Sequence, residues 1–206
     1  MDSLPNHFLT FIISSIVASI VPGVAVMGAF TVSLQYGFKR GFIFSLGLIT
    51  ASLIYFWLSA IGLISLFEKS AFLFEIIKYA GIAYLLYLGV QSYRSQSTIS
   101  NQEQKFKSNN LSIYISGLMV NLANPKNILF FIVVLPQYIN TSKPINAQMM
   151  WLATGSAIPE FIILLAYALF AKKLKVHLEK NSTALFFNKV IGILFIGLAV
   201  SMLFLF

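Results

Sequence analysis

Six apolar runs, each long enough to cross a bilayer, set the limits on this chain: about 8–34, 41–67, 72–93, 111–138, 148–170 and 185–206. A hydrocarbon core about 30 Å thick takes about 20 residues of helix. Lipid offers no partner for backbone N–H and C=O groups, and the runs show no strand-like alternation, so each is predicted to be a helix. With 206 residues, little remains beyond short connections once six spans are counted. The composition points the same way, with 58% hydrophobic and 10% charged residues, against roughly 45–50% and 25% in soluble domains, and a mean hydropathy of +0.85. The expectation is an all-α integral membrane protein whose residues 1–206 form a single transmembrane domain of six helices.

The charges sort by loop. Lys39 and Arg40 follow the first run, Arg94, Lys105 and Lys107 follow the third, and Lys172, Lys173, Lys175, Lys180 and Lys189 follow the fifth, which is ten of the 14 basic residues. By the positive-inside rule, loops 35–40, 94–110 and 171–184 are cytoplasmic and both termini lie outside. The formal charge of +8 therefore reads as orientation and contact with anionic lipid rather than nucleic-acid binding. The segment "MDSLPNHF" ahead of the first run carries an aspartate and no lysine or arginine, unlike a secretory signal, so that run is expected to stay as a span.

Residues 94–110, "RSQSTISNQEQKFKSNN", form a polar linker between a half at 1–93 and a half at 111–206. Three spans per half means that related halves would sit in opposite orientation. Several features repeat: "KYAG" (78–81) and "KVIG" (189–192), Gly47 and Gly155, and a proline near the middle of the first span of each half, Pro22 beside Gly23 and Pro125 within "NLANPKNIL". Two inverted three-helix repeats with interrupted helices bring their breaks together near the midplane, where such folds hold substrate.

Proline inside a helix removes a backbone hydrogen bond and frees carbonyls, which lipid cannot satisfy. Pro22, Gly23, Pro125 and Pro159 are thus candidate helix breaks or gating points; a lone membrane proline can equally serve packing. Lys126 is more telling. It lies about ten residues, or about 15 Å, from the nearer end of its run, too far for its stem to snorkel, and a lysine at such depth costs about 2.5–3.5 kcal/mol unless paired or solvated. Glu160 is the carboxylate well inside a span, and it fits a counter-ion, a ligand for a substrate ammonium, or a proton carrier. Asn121 and Asn124 share a helix face and either bind substrate or only cap the break. Ser15, Ser19 and Gly23, like Ala153 and Ala157, recur every four residues and read as small-residue faces for helix contact; such faces suit a homodimer as well as internal packing.

There are no cysteines, and His7 and His177 fall at run edges, which leaves no thiolate or histidine metal site. Paired carboxylates and a phosphate-cradling glycine loop are also missing, so no enzyme, cofactor or metal is expected. A small-cation exporter or a channel-like membrane protein stays open as an alternative.

The motifs "VPG" (21–23) with "GFKRG" (37–41), "KYAGIAYLLYLGVQSYR" (78–94) and "NLANPKNILFFIVVLPQY" (121–138) resemble the LysE/RhtB family of amino-acid exporters across nearly the whole chain. That resemblance implies efflux of amino acids or related small zwitterions across the bacterial inner membrane, with protons as the coupling ion. It places the family's Pro-Gly break on Pro22 and Gly23 and its Asn-Pro-Lys on Asn124, Pro125 and Lys126. The family's first motif usually continues with a second proline and often an aspartate and asparagine, where this chain has Val24, Ala25 and Val26. Glu160 is then the acidic group left to meet an amino group, so the implied substrate-binding set is Asn121, Asn124, Lys126 and Glu160.

Overall fold

The computed structural model describes residues 4–20, 23–67, 71–94, 109–140, 142–171, 173 and 181–205. No strand occurs among them. In the first half, α1 (Phe8–Ile20) and α2 (Val24–Tyr36) lead to α3 (Phe38–Phe67) and α4 (Ala71–Arg94). In the second, α5 (Asn110–Leu122) and α6 (Pro125–Leu129) run on through a π-helical turn (Phe130–Val134) and a 3-10 turn (Leu135–Tyr138), before α7 (Ile145–Leu169) and α8 (Asn181–Leu205).

The first and fourth apolar runs are each two helices. Gly23 is extended (φ −101°) and caps the start of α2, and α1 and α2 meet at 54°; Pro22 lies outside the described residues. In the fourth run the interruption falls at Ala123 and Asn124, and the helices on either side meet at 64°. The loop expected over 35–40 contracts to one residue. Tyr36 ends α2 and Phe38 starts α3, with Gly37 between them at φ +85°, a left-handed conformation that glycine adopts without a Cβ clash. Its N–H bonds the Ser33 carbonyl at 3.0 Å. Lys39 and Arg40 consequently lie in the first turn of α3, the Arg40 guanidinium 5.4 Å above the Tyr36 ring. Most of the 94–110 linker and of loop 171–184 lies outside the described residues.

Large apolar side chains face outward as well as inward. Leu9, Trp57, Ile162 and Leu203 face outward, while Asn121 (1% exposed) and Gln148 (0% exposed) are inside. Water drives large apolar groups inward, whereas lipid is as apolar as they are and lets them face outward too, with polar groups among those kept inside. By length and apolarity α3 (over Phe38–Ser59) and α7 can each cross a membrane, and the two bent pairs meet the same test as units. The chain is thus a helical membrane protein.

Close approach of backbones holds the bundle. A Cβ at Gly117 would run into the Phe44 carbonyl, and one at Gly47 into the backbone of Tyr114 and Leu118, so each of α3 and α5 uses a glycine to approach the other's backbone. On the other side of the molecule Gly155 of α7 lies under Phe8 and Ile12 of α1, and Gly89 of α4 abuts Gly192 of α8. Two large apolar clusters, with a small one around Phe30 and Ala171, fill the interior. One holds Phe11, Phe56, Phe131, Tyr138, Leu152 and Phe195; the other holds Val26, Phe44, Leu48, Ile113 and Leu164.

Candidate functional site

The breaks in the fourth and first runs are built by local chemistry. Asn124 caps α6, its Oδ1 accepting from the Lys126 backbone N–H at 3.1 Å, and Pro125 takes the first turn of that helix, where a missing N–H costs nothing. A helix that stops leaves carbonyls without partners at its C-terminal end. At the end of α1 two of these are served from the other half. The Lys126 ammonium donates to the Ala18 carbonyl at 2.7 Å, and the Tyr167 hydroxyl donates to the Ile20 carbonyl at 3.1 Å. The cation also lies where the dipole of α1 is negative. At the end of α5 the Tyr55 hydroxyl donates to the Leu122 carbonyl.

Both breaks open on one cavity of about 40 Å³. Lys126 and Glu160 line it together with Asn121 and Asn124, and the two charges act on one another electrostatically. Phe130 and Phe131 close one wall and Ala25, Val26 and Leu164 another, so the cavity sits between the two apolar clusters.

A hydrogen-bonded network fixes the acidic side. Ser52 of α3 donates to Glu160 Oε1 at 3.0 Å and accepts from Asn121 Nδ2 at 2.9 Å and Asn127 Nδ2 at 3.3 Å. Asn121 Nδ2 also reaches the Leu48 carbonyl at 2.7 Å, and Asn124 Nδ2 lies 3.4 Å from Asn121 Oδ1. One chain of polar groups thus runs from the break in the fourth run to the carboxylate in α7.

The four sequence-predicted binding residues, Asn121, Asn124, Lys126 and Glu160, come together. Among the predicted break residues, Gly23 and Pro125 sit at helix ends, while Pro159 does not interrupt its helix. α7 runs continuously from Ile145 to Leu169; a single proline removes one hydrogen bond in a helix that is otherwise intact and packed on α1, α2 and α3. Sequence reasoning missed Ser52, Asn127, Tyr55 and Tyr167, and read Ser15 and Ser19 as packing only, whereas both line the cavity. A signal for Ser52 exists in the sequence: Ser45, Ser52 and Ser59 recur every seven residues and so share one helix face. Ser59 bonds the Phe131 carbonyl at 2.5 Å.

Ser15 differs from the other buried serines. Ser14, Ser19, Ser33 and Ser45 each bond the carbonyl four residues back in their own helix. Ser15 is 3% exposed, and its hydroxyl has no hydrogen-bond partner among the described residues. Leaving such a group unmet costs about 1–3 kcal/mol.

A helical membrane protein with a largely apolar cavity at two helix breaks, one cation and one carboxylate in its wall, fits the class of small-solute translocators rather than the enzymes. The LysE type translocator family matches residues 16–205, and the chain belongs to that family. It is 29% identical over 188 residues to the homoserine/homoserine lactone efflux protein of Salmonella typhi, covering 91% of each chain. It is 31% identical over 207 residues to the membrane protein YrhP of Bacillus subtilis, covering 95% of this chain and 97% of that one. No solved structure gives a significant match. The protein is a multi-pass membrane exporter of small metabolites.

Proposed function

We propose that this protein exports amino acids or closely related small zwitterions, homoserine among them, across the bacterial inner membrane in exchange for protons. The observation that carries the reading is the single cavity where both helix breaks, Lys126 and Glu160 meet. Lys126 binds the substrate carboxylate, Glu160 receives the ammonium group or the counter-transported proton, and Asn121 and Asn124 complete the pocket. The two charged contacts match the two charged groups of a zwitterion, and they exchange with contacts the protein already makes: the Lys126 ammonium moves off the Ala18 carbonyl, and Glu160 off Ser52.

Alternating access is the transport cycle this reading implies, and the position of the cavity between the two breaks supports it. Apolar clusters lie on both sides of the cavity. Loading and release require one cluster to part while the other stays shut, with the breaks as hinges.

The architecture in this reading is six spans in two inverted halves, 1–93 and 111–206, joined by a cytoplasmic linker at 94–110, with both termini outside. Reciprocal contacts support it. Tyr167 on α7 serves the end of α1, and Tyr55 on α3 serves the end of α5; α7 packs on α1 through Gly155 as α3 packs on α5 through Gly47. α4 and α8, helices of 24 and 25 residues, pair with each other.

The test is export from preloaded proteoliposomes with an imposed pH gradient. Lys126→Met and Glu160→Gln, purified in folded form, are expected to lose homoserine efflux, and Glu160→Gln to lose its response to the gradient. Parental rates in both variants would overturn the assignment.

A further inference from the structure

We infer that Ser15 is a specificity-determining residue: its unpartnered hydroxyl hydrogen-bonds an oxygen on the side chain of the transported molecule. The inference rests on the export reading above and adds to it the residue that selects among substrates.

Three observations converge on it. The Ser15 hydroxyl is buried, lines the cavity and finds no partner among the described residues. It also forgoes the bond to its own helix that Ser14 and Ser19 beside it both make. Finally, its place on α1 suits a short zwitterion. Lys126 docks on the Ala18 carbonyl, and Ser15 lies three residues earlier on the same helix face, about 4.5 Å along the axis. A carboxylate held by Lys126 therefore leaves the side chain of a small amino acid within reach of the Ser15 hydroxyl.

The rest of the cavity wall near α1 does not compete for that role. The Ser19 hydroxyl is committed to the Ser15 carbonyl at 2.7 Å, and the Ser156 hydroxyl to the Ala153 carbonyl at 3.1 Å. Phe130, Phe131 and Leu164 offer apolar surface alone. A substrate with an oxygen on its side chain gains a bond at Ser15, and an apolar substrate of the same size leaves the hydroxyl unmet. One neutral hydrogen bond is worth about tenfold in an equilibrium.

Efflux from proteoliposomes loaded with homoserine or with 2-aminobutyrate, which is homoserine without its hydroxyl, tests this directly. The parental protein is expected to favour homoserine by about tenfold in rate over KM. Ser15→Ala is expected to bring that ratio to about one, and Ser15→Thr, which keeps the hydroxyl, to preserve the preference. Ser15→Ala removes an unmet buried hydroxyl, so its thermal stability in detergent is expected to equal or exceed the parent's, which separates a specificity effect from misfolding. A parental protein that does not discriminate, or a ratio unchanged in Ser15→Ala while Glu160→Gln is inactive on both compounds, overturns the role of Ser15 alone. Full activity of Glu160→Gln overturns the export site and the Ser15 assignment with it.

Discussion

Replacing Ser52 by alanine separates a network serine from a merely buried one. Ser52 and Ser45 both lie on α3, 2% and 0% exposed. Ser45 bonds only the Gly41 carbonyl of its own helix at 2.9 Å, and that carbonyl keeps its helical N–H when the hydroxyl is removed. Ser52 instead joins Glu160 to Asn121. A hydrogen bond to a carboxylate is worth about 1.5–3 kcal/mol. Asn121 retains the Leu48 carbonyl at 2.7 Å, the Asn127 contact at 3.3 Å is too long to count for much, and cavity water takes up part of the deficit. The net loss for Ser52→Ala is then about 2 kcal/mol. For a chain of this size that corresponds to a fall in Tm of roughly 4–8 °C. Ser45→Ala is expected to stay within about 1 °C of the parent. Thermal unfolding of the purified protein in one detergent, followed by intrinsic fluorescence, makes the comparison. Equal shifts for the two variants would refute the assignment of Ser52 to the Glu160 network.

The helix crossings and caps give further expectations. Gly117→Ala puts a methyl group against the Phe44 carbonyl and is expected to cost about 1–3 kcal/mol, read as loss of the monodisperse peak in size-exclusion chromatography on heating; Gly62→Ala, where nothing lies within 4 Å, is the neutral control. Tyr167→Phe and Tyr55→Phe each strand a carbonyl at a helix break and are each expected to cost about 1–3 kcal/mol. Because the two breaks have separate tyrosines, the double variant should be the sum within about 0.5 kcal/mol by Tm. Asn109→Ala removes the α5 cap, whose Oδ1 accepts from the Ser112 N–H at 2.6 Å, and is expected to cost about 1 kcal/mol by the same measurement.

The helices and both interruptions are legible in the sequence because lipid leaves the backbone one economical solution and because "NLANPK" carries its own cap and its own first-turn proline. Lys126 and Glu160 are legible for a related reason: a charge so deep in an apolar run has few tolerable places, and a shared cavity is one of them. Ser52, Asn127 and Ser15 are not legible in the same way. A serine is cheap anywhere in a membrane helix, since it can bond the turn before it, and only the rotation of α1, α3 and α6 against one another decides which hydroxyls do otherwise. Tyr55 and Tyr167 escape notice because the carbonyls they serve belong to distant segments. Pro159 shows the opposite failure, a strong local signal that the surrounding packing absorbs without a break.

The crossed service of the two breaks also bears on how the chain is made. The Ile20 carbonyl waits for a hydroxyl 147 residues further along. At about 5–20 residues per second of synthesis, the first broken helix sits in the membrane for roughly 7–30 s with that end unmet. Lys126, 108 residues from Ala18, arrives sooner and would hold the broken end meanwhile. A chain that stops before the fourth run therefore leaves both the Ala18 and the Ile20 carbonyls at the end of α1 without the partners they have in the finished protein.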